Sequence, residues 1–407
     1  MNRKQVGAWA LFDFANSVYP AVVVSVVFQV FYINTVVGNA DSLGDLWWGR
    51  AVALSALIVA LSSPVLGAIS DRAGVRKRLM AFYVAMCVTG VALFTTLGPG
   101  MVAWGFALFV FANVGFEGCL VFYNAYLPEI APRDKQGWVS GLGFGIGYVS
   151  SALGLLFAIP LIATNMDLVW VMVALFFIIF SIPSFMYLPK DKAGDLSVGR
   201  AAVWGVTSFR EILGEVLRAK NLRNFLIAFF FYIDGVLTAI YMSSTVASTS
   251  FGFSRDELIY LYVALQVAAL IGAFSLANAT DRLGPKKVLD GVLVMWTFVA
   301  VSIYFIPDSK IWFGALAMLA GFGLGSVQAA SRAFMARLIP AGKEAEMFGF
   351  YALCGKSSSI FGPLIFGSIA YATGGNQRLA VAAISVLFIL GLTLLQRVED
   401  PTAANIA

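Results

Sequence analysis

Histidine is absent from this 407-residue chain, and cysteine occurs only at Cys87, Cys119 and Cys354, all inside apolar runs. Neither a Cys/His zinc site nor a disulfide framework is expected from so few ligands. Charge is also scarce: Asp, Glu, Lys and Arg make up 12% of the residues against 60% that are hydrophobic. A soluble chain of this length cannot bury so much apolar surface, so its natural solvent is lipid. There is no G-x-x-x-x-G-K-[ST] phosphate loop, which excludes ATP hydrolysis by this chain and leaves an ion or solute gradient as the source of work. No nucleophile with its base, metal cluster or cofactor loop emerges. The chain therefore reads as no enzyme, with no catalytic residue, metal or cofactor.

What is present is a series of apolar runs of about 20 residues, each long enough to cross about 30 Å of hydrocarbon. Spans are expected near 8–36, 46–70, 79–98, 101–125, 138–163, 168–189, 223–249, 257–280, 287–306, 311–336, 345–373 and 378–396. The runs are continuous rather than alternating, which points to helices and not to a barrel. The first contains Asp13, Asn16 and Pro20 and no small-residue cleavage site, so it reads as a retained helix. All but five of the 27 Lys and Arg residues fall in one alternate set of loops; Arg50, Arg255, Lys310 and Arg378 fall in the other, and Lys356 lies inside a span. Positive loops stay on the cytoplasmic side, so both termini are expected in the cytoplasm. The net charge of +5 is then topology, and no nucleic-acid partner is implied.

The chain repeats itself. Asp71-Arg72-Ala73-Gly74, followed by Arg76-Lys77, answers Asp281-Arg282-Leu283-Gly284, followed by Lys286-Lys287; Pro132 and Gly141 likewise answer Pro340 and Gly349. Two six-helix halves are expected, at 1–190 and 223–407, joined by an amphipathic linker at 191–222. In that linker Val206, Phe209, Leu213, Val216 and Leu217 share one helical face and Arg210, Glu211 and Arg218 face away, as in a helix lying on a membrane surface or docking a partner.

Six plus six spans, a basic central linker and a D-R-x-G-x-[RK]-K loop in each half resemble the major facilitator superfamily across the whole chain. Trp9-Ala10-Leu11-Phe12-Asp13-Phe14-Ala15-Asn16-Ser17-Val18-Tyr19 resembles the opening of the branch related to the fungal vacuolar amino-acid effluxers of autophagy. Tyr123 to Glu129 and Phe348-Gly349-Phe350-Tyr351 fit that branch too. The resemblance implies an all-α membrane fold of two pseudo-symmetric bundles that work by alternating access. It also implies a central cavity lined by the first, fourth, seventh and tenth helices, and a monomer. The drug-antiporter signature G-x-x-x-G-P-x-x-G-G is missing from the fifth span, although Gly362-Pro363 occurs in the eleventh.

In each D-R-x-G loop, an aspartate at a helix end can hold another helix's N-terminus or a basic side chain, and glycine permits the tight turn. Asp71, Arg72, Gly74, Asp281, Arg282 and Gly284 are therefore candidate gating residues, with topology determination as the alternative role. Ionisable groups inside spans cost about 2.5–3.5 kcal/mol on insertion scales and mark a cavity or a partner. They are Asp13, Glu117, Asp234 and Lys356. Asp13 and Glu117 fall on helices that are neighbours in the family fold and, with Asp234, are candidates for proton coupling.

Laying Phe12–Val18 on Phe230–Val236 matches Asn16 to Asp234, and Pro20 displaces the carbonyl of Asn16. Substrate-binding candidates are Asn16, Tyr19, Asp234, Gln328, Arg332 and Lys356. Lys356 pairs with Asp234 or meets a substrate anion, and Arg332 is either a snorkelling cation or a carboxylate clamp. Tyr19, Tyr123, Tyr148, Tyr232 and Tyr351 either stack on solute or simply pack. Glycines at 141, 143, 145 and 147 and at 321, 323 and 325 form close-packing faces.

The expected function is secondary transport of a small polar metabolite, with amino acids leading by resemblance and a proton as coupling ion, in a cell (inner) membrane and among its lipids. A sugar, peptide, nucleoside or lysolipid transporter stays open within the same fold. So does a non-transporting lipid scramblase or sensor, although a sensor would be expected to add a signalling domain.

Overall fold

The computed structural model describes residues 1–39, 43–358 and 361–400, without the side chains of Arg255, Asp256 and Ile259. The middle of the first expected loop, two residues of the eleventh expected span and the last seven residues of the C-terminal half lie outside that set. Every regular element in the described residues is helical.

Helix α1 (Arg3–Tyr19) starts from Asn2, whose side chain accepts from Lys4 N, and continues into π-helical turns at Pro20–Val26. Proline there removes a hydrogen bond, and the helix answers by widening rather than stopping. A short α2 (Val27–Phe31) and a second π segment (Tyr32–Val37) complete the span. Next come α3 (Leu43–Ala73), α4 (Arg76–Ala92), α5 (Val102–Asn124), the one-turn α6 (Leu127–Ile130), α7 (Gln136–Thr164) and α8 (Met166–Tyr187). Pro64, Pro160 and Pro183 sit inside α3, α7 and α8 without ending them. The chain goes on through α9 (Val198–Thr207), α10 (Phe209–Arg218), α11 (Lys220–Phe251), α12 (Arg255–Leu283), α13 (Pro285–Phe305) and α14 (Lys310–Leu338). A capping box of Ser254 and Glu257 sets the start of α12. It closes with α15 (Glu344–Ser357), α16 (Phe361–Ala372) and α17 (Gln377–Leu395).

Eleven helices among the described residues are long and apolar enough to cross a membrane, with ends within a few residues of those expected. Within the span expected at 345–373 the described residues form α15 and α16, and residues 359 and 360 between them lie outside the described set. The linker also differs in detail: α9 buries Ala201 and Gly205 and α10 buries Ile212 and Val216, while Val206 and Leu217 are exposed. Gly205 is the reason α9 lies close to α3, because a Cβ there would touch Ile69 and Val65.

Two compact units result. One comprises Met1–Ala131, Ile146–Phe209 and Pro340–Leu353; the other comprises Pro132–Gly145, Arg210–Ile339 and Cys354–Ala407. Each thus contains a short piece from the opposite end of the sequence. The core of the first is aromatic: Phe28 lies 3.9 Å from Phe94 and 5.9 Å from Phe109, centroid to centroid, with Trp170 edge-on. In the second, α12 and α14 approach through glycine. A Cβ on Gly272 would fall 1.9 Å from Phe322 O, and one on Gly325 would fall 1.9 Å from Ala269 O. Only glycine permits backbones so close.

Candidate functional site

In the first unit the D-R-x-G loop joins α3 to α4. Asp71 Oδ2 accepts from Glu346 N at 2.9 Å, in the first turn of α15, and Asp71 Oδ1 accepts from Arg76 Nη2 at 3.1 Å. A carboxylate at that point satisfies a backbone donor that the helix leaves unpaired and complements its dipole. The Arg76 guanidinium also reaches Glu129 and Glu344, each at 3.2 Å, and lies over the Tyr126 ring. Glycine lets α3 and α15 meet: a Cβ on Gly67 would fall 2.2 Å from Ala345 O, and one on Gly349 would fall 2.4 Å from Ser63 O. Gly74 turns the chain at φ +62°, and a Cβ on it would fall 1.9 Å from Lys192 O. Arg72 lies over Trp204 of α9.

The second unit repeats the arrangement. Asp281 accepts from Gly137 N and Trp138 N, both at 2.7 Å, at the start of α7, and from Arg337 Nη2 at 2.8 Å. Gly284 has φ +91°, and Arg282 is exposed.

A further pair of contacts was not read from the sequence. Asp191, beyond α8, accepts from Lys77 N at 2.8 Å, and Lys77 Nζ donates to Leu188 O at 2.7 Å. In the other unit Asp400, beyond α17, accepts from Lys286 N at 3.2 Å, and Lys286 Nζ donates to Val398 O at 2.8 Å. The usable signal was an aspartate within two residues of a proline just after the sixth and twelfth spans, each 114 residues from its lysine. Arg337 and Glu344 were also missed, because nothing in their local spacing points to the loop they serve.

The ionisable groups within spans have specific surroundings. Asp234 on α11 is 0% exposed. Its carboxylate accepts from Phe361 N at 3.1 Å and Gly362 N at 3.0 Å, and Thr238 Oγ1 donates to it at 3.4 Å. It therefore holds the first two residues of α16; the pairing with Lys356, one of the two alternatives for that lysine, is not among its contacts. Gly362 is required there, since a Cβ would fall 1.9 Å from Thr238 Oγ1.

Arg332 is 2% exposed, donates to Ser140 Oγ at 2.9 Å and Ser140 O at 2.8 Å, and lies 3.9 Å from the Phe144 ring centroid. It does not reach water, so the snorkelling alternative is corrected: a stacked, hydrogen-bonded guanidinium has no need of the surface. Gln328, one turn earlier on α14, is half-buried, as are Glu117 on α5 and Lys356 on α15.

Helices α1 and α5 pack together. Tyr123 stacks on Trp9 at 4.6 Å and on Phe12 at 4.8 Å, and Tyr19 stacks on Phe116 at 4.8 Å. Asp13 is buried on the same stretch of α1, and Glu117 follows Phe116 on α5. Asn16 Nδ2 donates to Phe12 O at 2.8 Å, so that side chain is engaged by its own helix. Tyr232 bonds Ser331 at 2.7 Å, and with Tyr123 it packs within its unit.

The profile of the family described as vacuole effluxer, Atg22 like, matches residues 50–405. The chain belongs to that family. It is 30% identical over 421 residues to the uncharacterized MFS-type transporter YxiO of Bacillus subtilis (strain 168), covering 99% of this chain and 97% of that one. It is 24% identical to autophagy-related protein 22 of Coccidioides immitis (strain RS), covering 89% of this chain and 73% of that one. Among solved structures, the human organic anion transporter MFSD10 (TETRAN) aligns with TM-score 0.79 and 16% identity, over 97% of this chain and 99% of that one. The transporter FucP in its outward conformation aligns with TM-score 0.75 and 14% identity, over 98% and 100%. The fold is that of the major facilitator superfamily, and this Atg22-like protein is a multi-pass membrane transporter of that superfamily rather than an enzyme. In it the aromatic opening motif is structural: Trp9 Nε1 donates to Tyr123 O at 3.1 Å, tying α1 to the end of α5.

Proposed function

We propose that this Atg22-like transporter moves a small polar metabolite, with amino acids first among the classes, by alternating access coupled to protons. Asp234 carries the reading. A carboxylate buried in a span is costly in hydrocarbon, and this one is held by the backbone N–H groups of Phe361 and Gly362 at the start of α16. Helix starts in transporters place backbone donors beside the transported species. Asp13 and Glu117 are the further candidates for proton exchange. Asn16, Tyr19, Gln328, Arg332 and Lys356 supply amide, hydroxyl and cationic groups suited to a zwitterion. The amino-acid class rests on the resemblance to the fungal vacuolar effluxers.

The loops at Asp71-Arg72-Ala73-Gly74 and Asp281-Arg282-Leu283-Gly284 act as latches of a cytoplasmic gate. In support, each aspartate holds the first turn of a helix contributed by a distant part of the chain. The membrane is a cell (inner) membrane with both termini cytoplasmic, on the bias of positive loops, and the working form is a monomer. The test is uptake of a labelled amino-acid mixture by proteoliposomes with and without an imposed pH gradient, beside empty liposomes and Asp234→Asn. Gradient-dependent accumulation that fails in the variant is the expected result. Accumulation in Asp234→Asn at the wild-type level removes its coupling role, and absence of flux for folded protein moves the substrate class to sugars, peptides, nucleosides or lysolipids.

A further inference from the structure

The two units are built on one repeated pattern, yet their interiors differ. In the first, the half of the spans remote from the D-R-x-G loop is filled by rings: Phe28, Phe94 and Phe109 stack on one another, with Trp170 against them. The repeat identifies the matching positions in the second unit. The register that lays Phe12–Val18 on Phe230–Val236 puts Phe28 against Val246. Counting from the helix starts at Arg76 and Pro285 puts Phe94 against Ile303. Counting from the starts at Val102 and Lys310 puts Phe109 against Ala317. Three phenyl rings have become a valine, an isoleucine and an alanine, and all three smaller residues line a cavity of about 120 Å³ among α11, α12, α13, α14 and α17.

Its wall also includes Ile240, Tyr262, Trp296 and Phe388 and is almost wholly apolar. The polar groups on it are few: Ser243 donates to Ile240 O at 2.7 Å and lies 3.3 Å from the Tyr262 hydroxyl, and Gln266 and the buried Nε1 of Trp296, which has no hydrogen-bond partner among the described residues, complete them. Water in a cavity needs about two to four polar partners, whereas an apolar cavity of about 150 Å³ stays dry and takes up benzene. We infer that the second unit binds a hydrocarbon chain in this cavity, namely the last few carbons of a lipid acyl chain or of a free alkyl solute. Hydrocarbon is close at hand. The helices that wall the cavity expose Val267, Ile271, Val294 and Phe298 on their other sides, where lipid chains lie in a membrane.

Trp296, 3% exposed and stacked on Phe388, is a reporter within the wall. The full-length protein is reconstituted in nanodiscs of phosphatidylcholine brominated near its chain ends. The emission of Trp296 is taken as the difference between wild type and Trp296→Phe. Quenching of that component is expected, together with its loss in Ala317→Phe, which restores the ring that Phe109 supplies in the first unit. Ala320→Leu, a second filling substitution on the same wall, should act alike, and both variants are checked for monodispersity and melting temperature so that a misfolded one is set aside. Titration of 1-bromohexane into unbrominated discs is the other arm. Saturable quenching there, lost on filling, with bromolipid inactive, assigns the chain to a free solute; bromolipid quenching lost on filling assigns it to the bilayer. Quenching unchanged in the folded filling variants, or absent with both probes, overturns the inference.

Discussion

Removing the carboxylate of Asp281 tests the logic of the loop contacts most directly. The ion pair with Arg337 is buried, with side chains 2% and 8% exposed for Arg337 and Asp281, so it belongs with buried pairs rather than with surface ones. Asp281→Ala takes one carboxylate away from the buried Arg337 guanidinium, on which Asp400 and Asp134 also act, and leaves Gly137 N and Trp138 N without the acceptor they have here. Breaking a buried pair from one side costs about 3–5 kcal/mol. Asp281→Asn keeps one acceptor oxygen but turns the other into a donor and loses the charge, so about 1.5–3 kcal/mol is expected, the range of hydrogen bonds to charged groups. Combining Asp281→Ala with Arg337→Met removes a buried cation that has lost its closest carboxylate, and the double variant should be more stable than Asp281→Ala alone by about 1–3 kcal/mol. The assay is equilibrium unfolding in mixed detergent micelles, with a double-mutant cycle across the two positions. A loss below about 1 kcal/mol for Asp281→Ala, the range of exposed pairs, refutes the reasoning.

The exposed pair of Lys310 and Glu257 is the counter-example, with side chains 43% and 41% exposed: Lys310→Met should cost under about 1 kcal/mol in the same assay. Gly362→Ala places a Cβ 1.9 Å from Thr238 Oγ1 and 2.8 Å from Asp234 Oδ1, so transport should fall sharply. Adding Thr238→Ala should recover part of the melting temperature, and no recovery would point to a different source of strain. Gly74→Ala meets the immovable backbone oxygen of Lys192 at φ +62° and should cost more than about 1 kcal/mol. Limited proteolysis should then cut more readily near residues 190–196, whereas Gly7→Ala, with open space around it, should leave the digestion pattern unchanged. Asp191→Ala and Asp400→Ala should each loosen the same kind of contact in their own unit, read as faster amide exchange at the starts of α4 and α13.

The spans were legible because lipid imposes a length and a polarity on each helix. The run at 168–189 became α8 at Met166–Tyr187, and the run at 311–336 became α14 at Lys310–Leu338. The linker face was less legible. Burial in α9 follows where it packs on α3, which favoured Ala201 and Gly205 over the larger Val206. Arg332 misled for a related reason: its position near a helix end suggested access to water, and only the packed helices show Ser140 and Phe144 in the way. Lys356 and Asp234 were natural partners by charge, but Asp234 is taken by the backbone of α16. Composition does not say which backbone donors a buried carboxylate meets, so the N–H groups of Phe361 and Gly362 could not be foreseen.

Sequence by itself determined the solvent of this protein, the length and number of its apolar segments, its internal repeat and its superfamily, since each is a one-dimensional pattern of polarity or spacing. Tertiary structure alone decided what Asp71, Asp281, Asp191, Asp400 and Asp234 hold, because their partners other than Arg76 and Thr238 lie 56 to 275 residues away. It also decided that, remote from the D-R-x-G loops, rings fill the first unit while the second keeps a cavity. Those outcomes depend on volumes meeting across helices, and no single helix carries that information.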